Sequence, residues 1–408
     1  MTSLQKSLVA SFKGVSMNDV FVLSAVRSAI GSFDGSLSMV EPIDLGTTVM
    51  REALKRSAVN PELIGSSVVG NCIPTESRSP YVARVISINA GLTHNSSALT
   101  VNRLCGSAMQ AVISIAQSIR LGDTSFGIGG GVEVMSKGGF LSSDLRSGKR
   151  MGNTSMIDMM VAVLTDPFGV GHMGVTAENL AKKWNITREM QDEFALTSQI
   201  RAQKAIELGR FNDQIVPISI KKKRENIIFN IDEHPRVTTA EKLATMKAAF
   251  LRENGTVTAG NASGINDGAS FIVMGSEEAI KKENVQPLAR LVSYAISGVS
   301  NDIMGEGPIP ATEVALKKAR LNLQDIDVIE SNEAFAAQAL AVQKGLGLDA
   351  SVTNVNGGAI ALGHPVGATG AVLITKALYE LKRIKGKYAL ATMCIGGGQG
   401  ITTIFENI

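Results

Sequence analysis

Cysteine is scarce in this 408-residue chain and widely scattered: Cys72, Cys105 and Cys394 are the three there are. Their spacing excludes a zinc knuckle or a CxxC redox pair, so no metal site is expected. The same sparing use of thiols fits a reducing compartment, which is read as the cytoplasm. Charge of one sign is lacking too. Forty Lys and Arg against 37 Asp and Glu leave a net +3, which argues against a nucleic-acid partner. No apolar run approaches the length of a bilayer span, so no membrane partner is expected. No GxGxxG follows the first predicted strand, which removes a Rossmann dehydrogenase. Aromatics make up only 4% of residues while glycines number 41. That balance points to tight turns and close backbone approaches, as in layered α/β proteins.

What is present is a globular core. Hydrophobic residues are 44% and charged residues 19%, and a chain this long divides into two or more domains. The first sixteen residues, MTSLQKSLVASFKGVS, carry no acid. They read as an N-terminal extension, with a mitochondrial targeting peptide as the alternative.

Strands are predicted at Phe21–Val26, Ser67–Cys72, Leu99–Asn102 and Phe126–Gly131. Helices over Asp44–Ser57, around Tyr81–Ala90 and after Cys105 alternate with them. This βαβαβαβ run implies a mostly parallel sheet with helices on its faces. The pattern returns with FIVMG (Phe271–Gly275), ARLVSYAIS, IDVIES (Ile326–Ser331), VTNVNG and YALATMCIGGG (Tyr388–Gly398). Helices at Ala311–Arg320, Ala334–Gly345 and Gly367–Lys382 separate them. Two alignments indicate a duplication: VVGN ending at Asn71 matches VIESN ending at Asn332, and GSAMQAV after Cys105 matches VGATGAV after Pro365. Between the halves, residues 133–256 have another texture, with Met-rich loops, two helical stretches and the basic run Lys221–Arg224. Residues 1–17 are thus an extension, 18–132 with 257–285 an N-terminal core domain, 133–256 a loop domain, and 286–408 a C-terminal core domain.

Cys105 sits where a strand hands over to a helix, near unpaired N–H groups and the positive end of the helix dipole. That position is expected to lower its pKa and raise the thiolate fraction. His364 lies in the glycine-rich turn NGGAIALGHP, Cys394 at a strand end before three glycines, and Asn332 at another strand end. Taken singly, each is equally a core thiol, a turn histidine or a helix cap. Together they occupy the carboxyl ends of strands in a repeated unit, where reactive groups of open α/β sheets gather.

NRLCGS around Cys105, GHMGVTAENLA, GTVTAGNASGINDGA, SNEAFA, NGGAIALGHPVGATGA and CIGGGQG, in this order from about residue 20 to the C-terminus, resemble the successive signatures of the thiolase family. The resemblance implies a duplicated thiolase-like fold, with two similar core domains in a layered α-β-α-β-α arrangement and an inserted loop domain. It also implies a homotetramer built as a dimer of dimers. Cys105 would be the acyl-accepting nucleophile, His364 the base for its sulfur, and Cys394 the acid/base at the α-carbon. The N–H groups of Cys105 and Gly396 would form one oxyanion hole; His364 and a water held by Asn332 would form the other.

For coenzyme A the resemblance points to Leu164, His172, Met173, Arg236, Ala259, Ser263, Ala334 and Phe335. Acetyl-CoA, acetoacetyl-CoA and CoA would be substrates and products, with no further cofactor. Ala108 departs from the glycine that many relatives carry in CGSG. The implied activity is acetyl-CoA C-acetyltransfer, with a broad-range 3-ketoacyl-CoA thiolase acting on longer chains as the alternative. A decarboxylating ketoacyl synthase is disfavoured by Cys394 and Asn332.

Overall fold

The computed structural model describes residues 19–222 and 225–408. The expected extension over residues 1–17 lies outside the described residues, as do Lys223 and Arg224 of the basic run.

In the first half, β1 (Val20–Ser28), β2 (Ile64–Gly70), β3 (Ser97–Val101), β4 (Phe126–Val134) and β5 (Asn266–Ser276) form the sheet. The helices α1 (Pro42–Ser57), α2 (Val82–Ala90) and α3 (Ser107–Leu121) connect its first four strands. α1 opens on a proline, whose missing N–H is no loss in a first turn, and α2 and α3 close on glycines in the left-handed region. The second half supplies β6 (Ala289–Gly298), β7 (Val328–Ser331), β8 (Tyr388–Ile395) and β9 (Gln399–Asn407). Its helices are α6 (Pro308–Ala319), α7 (Ala336–Leu346) and α8 (Thr369–Ile384), numbered after α4 (Met173–Lys183) and α5 (Arg188–Glu207) of the intervening segment.

Strand order carries the duplication. The first half runs β3-β2-β4-β5-β1 and the second β7-β8-β9-β6, and the two join edge to edge where β1 meets β6. β2 is parallel to β3 and β4, whereas β4–β5 and β5–β1 are antiparallel. The second half repeats those directions: β7 parallel to β8, then β8–β9 and β9–β6 antiparallel. VTNVNG, at the place of β3, is reduced to one parallel bridge between Ile329 and Thr353. The sheet is therefore mixed, not mostly parallel. β9 follows β8 through a three-glycine turn, far too short for the crossover that a parallel neighbour needs.

α3 and α8 pack against each other between the two halves, and α8 touches strands of both. α1 and α2 cover the outer face of the first half, and α6 covers that of the second. This gives the helix–sheet–helix–sheet–helix layering expected from the resemblance. The central helices lie directly on strand backbone. A Cβ at Gly129 of β4 would come within 2.8 Å of the Val112 backbone in α3. The segment between β4 and β5 leaves the sheet and returns to it at the end of β1. It is anchored by the fully buried pair Arg27–Asp232 at 2.7 Å, while Ile215 and Val216 add a short parallel pairing to β1.

Candidate active site

Cys105, just beyond β3, and Cys394, near the end of β8, line one cavity although these strands lie towards opposite ends of the strand order. After β3 the chain turns through Leu104, a non-glycine residue at φ +47°, before Cys105 and the start of α3. Ser107 stiffens this turn: its Oγ accepts from Arg103 N at 2.8 Å and donates to Leu104 O at 2.7 Å. Arg103 Nη1 donates across to Gln399 Oε1 at 2.8 Å, tying the nucleophile turn to the glycine turn of the other half. The backbone N–H groups of Gly396 and of Cys105 itself lie near enough to the Cys105 sulfur to favour its thiolate. A Cβ at 396 would sit 2.8 Å from Met173 Cε, so any larger residue there would have to displace that side chain.

His364 is fixed from two sides. Its backbone N–H donates to Asn266 Oδ1 at 2.9 Å, and its Nδ1 lies 2.7 Å from Thr369 Oγ1. That hydroxyl donates to Pro365 O at 2.9 Å, so it accepts from Nδ1–H and the lone pair is assigned to Nε2. Nε2 has no protein partner, and the ring borders the same cavity as Cys105 and Cys394.

Burial dominates the electrostatics. It pushes the Cys105 thiol up to about 11, against the lowering by the Gly396 and Cys105 N–H groups. This corrects the expectation of a depressed pKa. The helix end is there, but the sulfur faces a narrow cavity and not bulk water, and desolvation of the thiolate is the larger effect. Burial drives His364 down to about 4, so the imidazole is neutral. It also pushes the Cys394 thiol far up, with the neighbouring Cys105 adding to the rise.

The cavity measures about 400 Å³. Cys105, His364, Cys394 and Gly396 line it, together with Leu164, His172, Met173, Arg236, Ala259, Ser263, Ala334 and Phe335. His172 caps α4, with Nδ1 accepting from Gly174 N at 3.1 Å, and its ring stacks on Phe250 at 4.7 Å. Phe250 in turn meets Phe335 edge-on at 6.0 Å. Ser263 N donates to Ala334 O at 3.0 Å, joining two residues of the lining. Asn332 is the exception. It is fully buried just behind Ala334 and does not line the cavity, and neither end of its side-chain amide bonds to protein.

Sequence reasoning missed Phe250 and His234. His234 is buried, lines the cavity and has its pKa lowered to about 4 by burial and by Arg236. Its position two residues before Arg236, among only four histidines, was an available signal. Among the described residues no cluster of side chains is arranged to hold a metal ion. No helix among them is long and apolar enough to cross a membrane.

Residues 20–278 match the family model for the thiolase N-terminal domain and residues 285–407 that for the thiolase C-terminal domain. The chain is 54% identical over 391 residues to the β-ketothiolase BktB of Cupriavidus necator, covering 96% of this chain and 99% of that protein. It is 46% identical to an acetyl-CoA acetyltransferase of Thiocystis violacea, covering 96% and 100%. Among solved structures, the Bacillus anthracis acetyl-CoA acetyltransferase superposes with a TM-score of 0.94 at 45% identity, covering 97% of this chain and 100% of that one. Human mitochondrial 3-ketoacyl-CoA thiolase in complex with CoA gives 0.92 at 43%, covering 96% and 98%.

Proposed function

The chain belongs to the thiolase family of acyl-transferring enzymes, and from that premise we propose that it is an acetyl-CoA C-acetyltransferase. It joins two acetyl-CoA into acetoacetyl-CoA and CoA, reversibly and through an acyl-enzyme on Cys105. One observation carries this reading: two thiols and a neutral imidazole border one cavity, with two backbone N–H groups near one of the sulfurs.

In the first half-reaction the thioester carbonyl enters beside Cys105, and His364 Nε2 takes the thiol proton as the sulfur attacks. The N–H groups of Cys105 and Gly396 receive the developing oxyanion, and CoA leaves as its thiolate takes the proton of Cys394. In the second, the Cys394 thiolate so formed removes a proton from the α-carbon of a new acetyl-CoA. The enolate oxygen is held by His364 and by a water on the free amide of Asn332. The enolate carbon attacks the acyl-enzyme, and Cys105 leaves with the proton that His364 has held since the first half-reaction. Every proton and every charge has a protein partner in this scheme, so CoA thioesters enter as substrates and no other cofactor is required. Arg236 meets the nucleotide phosphates, and the Phe250–Phe335 wall holds the pantetheine arm.

A homotetramer, built as a dimer of dimers in a reducing cytoplasm, completes the proposal. Its supports are the edge strand β3, with Leu99 half exposed, and the exposed apolar residues Phe140, Leu141, Met151, Ile157 and Phe168.

The test is a thiolysis series with acetoacetyl-, 3-ketohexanoyl- and 3-ketodecanoyl-CoA. A kcat/KM that falls steeply with chain length supports the acetyltransferase. Equal values across the series would replace it with the longer-chain thiolase.

A further inference from the structure

One buried carboxylate lies outside the proposed chemistry yet reaches both halves of it. Glu133, the last residue but one of β4, has no exposed surface. Its Oε2 accepts from Cys72 N at 2.9 Å and from Gly367 N at 3.0 Å. Its Oε1 accepts from Ile73 N and from Asn71 Nδ2, both at 3.1 Å. Four donors on one buried carboxylate come from two places far apart in sequence: the end of β2 and the turn that leads from His364 into α8.

The grip at Gly367 is tight. A Cβ there would sit 2.3 Å from Glu133 Oε2, and its carbonyl oxygen lies 2.1 Å from where a Cβ of Gly131 would be. Gly367 directly follows Val366, which lines the cavity, and stands three residues past His364. On the other side, Cys72 continues the connection. Its thiol donates to Leu104 O at 3.2 Å and lies 3.3 Å from Ser107 Oγ, the two groups that shape the turn holding Cys105. Glu133 thus bonds directly to the base turn and, through Cys72, to the nucleophile turn.

We propose that Glu133 is a positioning residue that sets the distance between Cys105 and His364 by clamping the ends of β2 and α8 onto one carboxylate. The inference rests on the acyl-transfer reading above. It touches no reacting atom, so its effect falls on turnover and not on substrate capture. A carboxylate is required because all four groups facing it are donors. An amide would turn its NH₂ against two of them. The negative charge also opposes ionisation of Cys105, so removing it frees the sulfur electrostatically even as the alignment is lost.

The experiment is Glu133→Gln in the full-length enzyme, assayed for acetyl-CoA condensation and for iodoacetamide alkylation of Cys105 at pH 8. We expect kcat to fall 10- to 100-fold, as misplacement of catalytic groups by about an ångström does, with KM for acetyl-CoA within about threefold. Alkylation is expected to be undiminished or faster. A kcat within twofold of native overturns the proposal. So does a parallel fall of kcat and alkylation in proportion to the folded fraction, which would leave Glu133 a purely structural residue. Should Glu133→Gln fail to fold, Gly367→Ala reaches the same contact from the other side, with the same expected split and the same overturning results. If native enzyme condenses no acetyl-CoA, it is the acyl-transfer reading that fails instead.

Discussion

Replacing His364 with Asn tests the electrostatics of the site most directly. With the Cys105 thiol near 11, the thiolate fraction at pH 8 is on the order of 10⁻³. With His364 near 4, full proton transfer from Cys105 to the resting imidazole is uphill by about 7 pK units, on the order of 10 kcal/mol. Both shifts disfavour a preformed thiolate–imidazolium pair, so proton transfer is expected to accompany attack on the thioester. Without the base, acylation depends on the spontaneous thiolate. His364→Asn should therefore acetylate about 10³-fold more slowly at pH 8, within the range of general-base contributions. Its residual rate should climb about tenfold per pH unit between pH 7 and pH 9.5, while the native rate stays nearly level. Rapid quenching with acetyl-CoA, followed by mass measurement of the acetylated Cys105 peptide, gives both rates. A variant within tenfold of native at pH 8, or one whose rate ignores pH, would refute the argument.

Two further substitutions separate the remaining roles. Cys394→Ala should still be acetylated at Cys105 but lose exchange of the acetyl α-protons with deuterated water, followed by NMR; exchange at the native rate would assign the base elsewhere. Phe250→Ala removes a ring stacked on His172 and edge-on to Phe335. At about 0.5–1.5 kcal/mol per aromatic pair, KM for acetyl-CoA should rise roughly tenfold with a smaller change in kcat. An unchanged KM would remove Phe250 from the binding wall.

Much of the site was legible because the chemistry sits at strand ends, and strand ends are marked by where apolar runs stop. Cys105, Cys394 and His364 were found that way, and they share one cavity. Asn332 was found too, but its place behind Ala334 and not on the cavity wall depends on how β7 leads into α7, which periodicity does not carry. The pKa of Cys105 was misread for a related reason. A helix N-terminus can be seen in sequence, whereas the narrow cavity whose desolvation outweighs it exists only once the inserted segment and the second half have supplied its other walls.

The glycine runs show where sequence likeness and structural equivalence part. Gly129–Gly131 and Gly396–Gly398 look alike, but the first run lies inside β4 beneath α3, while the second turns β8 into β9 with Gly397 and Gly398 at positive φ. Ladder register gives the true correspondence. Gly70 pairs with Gly131 and Ser331 pairs with Thr392, so one residue on, Asn71 corresponds to Asn332. Two residues beyond Gly131 and Thr392, Glu133 corresponds to Cys394. The same strand-end position thus carries a carboxylate fully bonded to backbone in one half and a thiol open to the cavity in the other. In the first half the Asn71 amide is spent on Val132 O and Glu133; in the second the Asn332 amide stays free. Duplication supplied two equivalent sets of strand ends, and the division between them is physical. At this position the first half's Asn71 and Glu133 satisfy each other and hold the geometry, while the second half's Cys394 is left to face the cavity.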